Sequence, residues 1–94
     1  MALTYPHFLL NFKCYEGTAG EAGLELARTI EAVQRRTGAT FAVAPQIPDS
    51  HRGAEARDLP VVAQSVDELE PGRGNGQVSL EAVAEAGAAG VLVN

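Results

Sequence analysis

Tryptophan is absent from this chain, cysteine and lysine each occur once, and aromatic residues amount to 5%. Each scarcity excludes something. With so few rings, the core has to be built from Ala, Val, Leu and Ile, as in the βα layers of an α/β protein. The single thiol, Cys14, closes no intrachain disulfide, which removes the small disulfide-stapled scaffolds and accords with a reducing cytoplasm. It reads as a small residue packed beside a strand end, as free cysteines usually are. No apolar run approaches the ~18 residues of a membrane span. Phe8-Leu9-Leu10 is too short for a signal sequence and has no basic approach. Cations number only seven against twelve acids, for a net charge of −5. Those acids are scattered and no basic cluster exists, which argues against a nucleic-acid or anionic-membrane surface.

What remains is enough for one small domain. Of the 94 residues, 46% are apolar, an ordinary share for a globular chain and too high for a disordered one. A first strand is expected over Phe8 to Phe12. Thr18-Ala19-Gly20-Glu21 reads as a capping box, opening a helix that runs to Arg36 and stops at Gly38. Ala22, Leu26, Ile30 and Val33 recur at helical spacing and define its expected inner face. Arg35 and Arg36 fall in its last turn, where cations favour the helix dipole. Thr40 to Ala44, ended by Pro45, is the second strand. A weak helix covers Asp49 to Arg57, and a third strand Leu59 to Gln64. A loop from Asp67 to Gly76 precedes a helix capped by Ser79, with an inner face of Leu80, Val83, Ala84 and Gly87. A fourth strand covers Gly90 to Asn94. The order β-α-β-α-β-α-β predicts an α/β fold with a parallel sheet, strands in the order 1-2-3-4 and right-handed crossovers.

The residues that draw attention lie at the end of the first strand. Lys13 is the sole lysine and follows Asn11 by two positions. If the strand continued that far, the two side chains would share a face. An amide and an ammonium together at a strand's C-terminal end can bind a small anion in an α/β protein. A solvated lysine just past a strand is the competing reading. The run Gly72-Arg73-Gly74-Asn75-Gly76 is a flexible turn, since it follows an acidic loop and lacks phosphate-loop spacing. His7 and His51 have no Cys, Asp or His partner at metal-ligand spacing, so no metal site is expected.

From Leu9 to Asn94 the chain resembles the N-terminal part of triosephosphate isomerases of the archaeal type. Asn11-Phe12-Lys13 resembles that family's first-strand Asn-x-Lys motif, and Val43-Ala44-Pro45-Gln46 its second strand end. Val62-Ala63-Gln64 resembles the third strand with its glutamine. Gly76-Gln77-Val78-Ser79 followed by Glu85-Ala86-Gly87-Ala88 resembles the third loop and helix, and Val91-Leu92-Val93-Asn94 the fourth strand. The resemblance implies the (β/α)8 TIM barrel, the fold named after this family, with its active site at the C-terminal ends of the strands. Residues 1–94 would then be a partial barrel domain, β1-α1-β2-α2-β3-α3-β4, the N-terminal half truncated at strand 4.

The implied activity is interconversion of dihydroxyacetone phosphate and glyceraldehyde 3-phosphate, in glycolysis and gluconeogenesis, through an enediolate and without a cofactor. By that resemblance Lys13 neutralises charge developing on the substrate oxygen and holds the anionic substrate. Asn11 orients the site by hydrogen bonds, and Gln64 supports it from behind. The implied setting is a cytoplasmic enzyme that is a homo-oligomer at full length. In the family the fourth-strand Asn is followed by His-Ser-Glu, whose histidine is the electrophile. The glutamate base, the closing lid and the phosphate-binding glycines come from later strands. Residues 1–94 contain none of these, so the segment alone is expected to be inactive. Glu16 is the nearest acid to Lys13 and reads as an exposed loop residue. Two further readings stand beside this one: a non-catalytic half-barrel that serves as a binding or assembly module, and a complete small flavodoxin-like domain.

Overall fold

The computed structural model describes residues 2–56 and 58–93. Alternation of apolar strands with amphipathic helices gives β1 (Phe8–Asn11), α1 (Gly20–Thr37), β2 (Phe41–Ala44), α2 (Ser50–Ala56), β3 (Val62–Ala63), α3 (Leu80–Glu85) and β4 (Gly90–Val91). A 3-10 turn over Ile47–Asp49 leads into α2. Arg57 and Asn94, which the sequence reading placed in the second helix and the fourth strand, lie outside the described residues.

All pairings are parallel. Leu9 stands opposite Ala42 and Asn11 opposite Ala44 in the β1–β2 pair, and Val62 opposite Gly90 in the β3–β4 pair. A bridge between Val43 and Val61 joins the two pairs, with the Val43 N–H donating to the Pro60 carbonyl at 3.1 Å. The strand order is therefore 1-2-3-4, as the alternation of elements predicts. β3 is shorter than expected. Pro60 has no N–H to give to a ladder, so only its carbonyl takes part at the strand entrance.

The sheet separates two apolar layers, because side chains alternate along each strand. Val43 and Val61 join Phe12, Ala27, Ile30 and Leu59 on the helix side, with Phe41 and Ala54 at the margin. Ala42, Ala44 and Val62 form the other layer, with Leu3 and Leu92 against it. Small residues at 42 and 44 keep that second face shallow. Leu59, 1% exposed, is among the largest fully buried side chains. Leu59→Ala should lower stability by about 2–5 kcal/mol, the usual cost of such a cavity. A urea denaturation series on the chain extended past Asn94, with and without the substitution, checks this.

Two features of α1 differ from expectation. Its buried residues are Gly23, Ala27, Ile30 and Glu31, whereas Ala22 and Leu26 are exposed. The face is rotated by one residue, roughly 100°. The reason is close approach: a Cβ at Gly23 would collide with the Thr18 carbonyl oxygen, so this edge of the helix sits tight against the preceding loop. Glu31 is buried because its carboxylate accepts the Asp58 N–H and pairs with Arg35 at 3.2 Å. The expected capping box does not form. Ala19 is the N-cap with no side-chain bond, and the Gly20 N–H is satisfied instead by Asp49 Oδ2 at 2.8 Å. At the other end Gly38 takes the left-handed stop at φ 73° and returns its N–H to Gln34. Ser79 caps α3 as expected, accepting from the Ala82 N–H at 3.1 Å. In α3 only Val83 of the expected inner face is buried; Leu80 is 55% exposed.

Only one edge of β1 and one of β4 is paired among the described residues. Phe8, Leu9 and Leu10 lie exposed along the β1 side, and Leu10, Tyr15, Leu26 and Ile30 line an apolar cleft there. Open parallel edges beside exposed apolar surface favour association. Residues 1–94 by themselves should therefore sediment as associated species or melt without cooperativity. A cooperative monomer in ultracentrifugation and thermal melts would contradict this.

Candidate active site

The chemistry-bearing residues gather where β1, β2 and β3 end. β1 stops at Asn11, Phe12 is buried on the helix side, and Lys13 turns out of the sheet. Lys13 has φ 51°, the one non-glycine residue at positive φ among the described residues. That left-handed backbone costs roughly 1–2 kcal/mol for a residue with a Cβ. The shared face expected for Asn11 and Lys13 from strand alternation is thus not how they are related. They are joined by a bond instead: Asn11 Oδ1 accepts the Lys13 N–H at 2.8 Å.

The carbonyl of Lys13, in the next peptide unit, is held from the end of β3. Gln64 Nε2 donates to the Lys13 carbonyl at 2.9 Å and to the Ala44 carbonyl at 3.1 Å. One half-buried glutamine therefore links Lys13, two residues past β1, to the last residue of β2. Both backbone polar groups of Lys13 are bonded to side-chain amides. Bonds of this kind contribute about 0.5–1.5 kcal/mol each, enough together to offset the strain. Asn11, Lys13 and Gln64, picked from the sequence, are brought together on one rim. Asn94 falls outside the described residues, so its relation to them is not described.

The loop after Lys13 is tied down by residues that sequence reasoning did not mark for this purpose. Thr18 donates its hydroxyl to the Tyr15 carbonyl at 2.6 Å, and lies 3.4 Å from the Phe12 carbonyl. Gln46, just past β2, donates to Thr18 Oγ1 at 3.0 Å and reaches the Tyr15 carbonyl at 3.5 Å. Asp49 caps the helix that the loop enters. No periodicity could reveal the Gln46 and Asp49 contacts, since they join residues 28 to 31 positions apart.

The Lys13 ammonium makes no ion pair among the described residues, and its side chain is exposed. Glu16 is exposed in the same loop, as expected, and so is Cys14, which is not packed beside the strand end as its residue type suggested. An unpaired cation at the C-terminal end of a parallel sheet, on a braced backbone, is suited to hold an anion and to stabilise negative charge. The narrow apolar crevice between α1 and α2, lined by Phe12, Leu24, Ala27 and Gly53 among others, includes none of Asn11, Lys13 and Gln64. It is a packing seam rather than part of this site. Among the described residues no helix is long and apolar enough to cross a membrane.

The triosephosphate isomerase family model matches residues 6–94. The triosephosphate isomerase of Methanothermobacter thermautotrophicus is 44% identical over 89 residues, covering 95% of this chain and 39% of that protein. That of Methanosarcina acetivorans is 40% identical over 89 residues, covering 95% and 40%. That of Methanocaldococcus jannaschii is 37% identical over 86 residues, covering 92% and 39%. The chain thus spans about 40% of the length of the curated relatives it matches. The match excludes the flavodoxin-like alternative: with its parallel β/α order, its Asn-x-Lys strand end and this alignment along nearly its whole length, the chain belongs to the triosephosphate isomerase family.

Proposed function

We propose that these residues supply the β1-to-β4 part of a triosephosphate isomerase, a cytoplasmic homo-oligomer that works without a cofactor. Its substrates are dihydroxyacetone phosphate and glyceraldehyde 3-phosphate, and its place is in glycolysis and gluconeogenesis. The reaction moves a carbon-bound proton between adjacent carbons through an enediolate, so negative charge develops on a substrate oxygen. Lys13 meets that charge and the anionic phosphorylated substrate. Asn11 and Gln64 fix the backbone that carries it, and Asn11 orients substrate by hydrogen bonding. The proton itself must be moved by a general base, a role that neither the Lys13 ammonium nor the Asn11 amide fills. In this reading the base and the histidine electrophile follow strand 4, and the isomerase needs them.

The observation that carries the reading is the bonding of both peptide groups of Lys13 to the amides of Asn11 and Gln64. A merely solvated lysine would gain nothing from a braced, left-handed backbone, whereas a charge that must meet a developing oxyanion has to be held in place. The test is a coupled assay on the chain read through past Asn94 in its coding frame. Turnover of triose phosphate is expected. A properly folded extended chain without turnover would overturn the proposal in favour of a half-barrel binding module.

A further inference from the structure

Resting on that reading of Lys13, we infer that Gln46 is a positioning residue for the site, acting through Thr18. The Lys13 backbone is braced directly by Asn11 and Gln64, but the loop it opens has a second anchor. Gln46 Nε2 donates to Thr18 Oγ1 at 3.0 Å, and the Thr18 hydroxyl passes the chain on to the Tyr15 carbonyl at 2.6 Å. Tyr15 in turn gives its N–H to the Phe12 carbonyl at 3.4 Å, so the relay ends on the residue that precedes Lys13. The turn holding Lys13 is thereby closed from the β2 side, while Gln64 closes it from the β3 side.

Geometry gives the relay a consequence. Phe12 is locked into the helix-side core, and Gly23 admits the Thr18 carbonyl at a distance that no Cβ would allow. The loop is therefore seated at both ends, and its middle, at Tyr15, is tied through the Thr18 hydroxyl to Gln46. Losing the Gln46 amide unties Thr18 and Tyr15 from the end of β2 and lets the 13–17 segment move while the sheet and α1 stay in place. A charge that must lie against one substrate oxygen tolerates little of that movement, since displacement by about 1 Å can cost up to 10²-fold in rate.

A double-mutant cycle on the extended, full-length chain tests this, with turnover and the affinity for inorganic phosphate as its two readouts. Gln46→Leu keeps the volume and removes the donor. It should lower kcat/KM about ten-fold and weaken phosphate binding in the parent, and change either quantity less than about two-fold in the Lys13→Ala background. Thr18→Val should follow Gln46→Leu, and Thr18→Ser, which keeps the hydroxyl, should stay near the parent. Equal effects of Gln46→Leu in both backgrounds, or no effect in the parent, would overturn the inference while leaving the site reading intact. If Lys13→Ala itself changes neither turnover nor phosphate affinity, the site reading fails and this inference fails with it. Phosphate titration keeps the cycle readable where Lys13→Ala turnover is too low to follow.

Discussion

Lys13→Ala in the extended chain should lower kcat by about 10²–10³-fold, the usual cost of removing one fixed charge or donor aimed at a developing oxyanion. KM should rise as well, because the ammonium is present in the ground-state complex and attracts the phosphorylated substrate. The combined effect separates this residue from a general base, whose loss lowers kcat without a matching change in substrate affinity. Arginine is not an equivalent replacement. Its planar fork needs space and a different bonding pattern, and it would sit on the same left-handed backbone that Asn11 and Gln64 hold for Lys13. Lys13→Arg should therefore recover phosphate affinity better than turnover. Steady-state kinetics over a substrate range large enough to separate kcat from KM decides the matter; a variant indifferent to Lys13 in both parameters would remove this residue from the chemistry.

Residues 1–94 by themselves should turn over no triose phosphate. Isomerisation needs a group to take a carbon-bound proton and a group to hold the oxygen that becomes negative. The braced Lys13 serves the second need. General acid–base transfer supplies about 10²–10⁴-fold, and among the described residues none near Lys13 is arranged to provide it. Glu16 shares the loop but is exposed. The apolar β1 side, with Phe8 and Leu10 open to solvent, adds a second obstacle, since a site at strand ends depends on neighbouring strands to exclude water. Both obstacles vanish together when the downstream sequence is restored, so activity should return in a single step.

Much of the architecture was legible because local chemistry and tertiary structure agree. The 3.6-residue periodicity and Gly38 define α1, Pro45 ends β2, and Ser79 caps α3. The failures share a cause: the deciding partner lies far away in sequence. Thr18 and Glu21 satisfy the pattern of a capping box, but Asp49 reaches across from the turn before α2 and takes the Gly20 N–H, leaving Thr18 for the loop. Leu26 looks like core by spacing, yet Gly23 and Ala27 win the inner face because small residues let α1 approach the loop and sheet. Glu31, which no spacing singles out, is buried through its bonds to the distant Asp58 N–H and to Arg35.

The candidate site divides along the same line. Asn11, Lys13 and Gln64 could be picked out by residue type, strand-end position and family pattern. The bonds among them could not, because Asn11 meets Lys13 only once the backbone turns left-handed, and Gln64 meets it across 51 residues. Gln46 was visible only as part of a strand-end motif. Its tie to Thr18 depends on the parallel register of β1 and β2, which brings Asn11 beside Ala44 and so brings the two following loops together.

A coupled assay of purified residues 1–94, the extended chain and its Lys13→Ala variant, run side by side, tests the central claim most directly. Turnover is expected from the extended chain, with a loss of about 10²–10³-fold on Lys13→Ala, and none above a buffer blank from residues 1–94. Turnover by residues 1–94 that Lys13→Ala abolishes, or an extended chain equally active with and without Lys13, would contradict it.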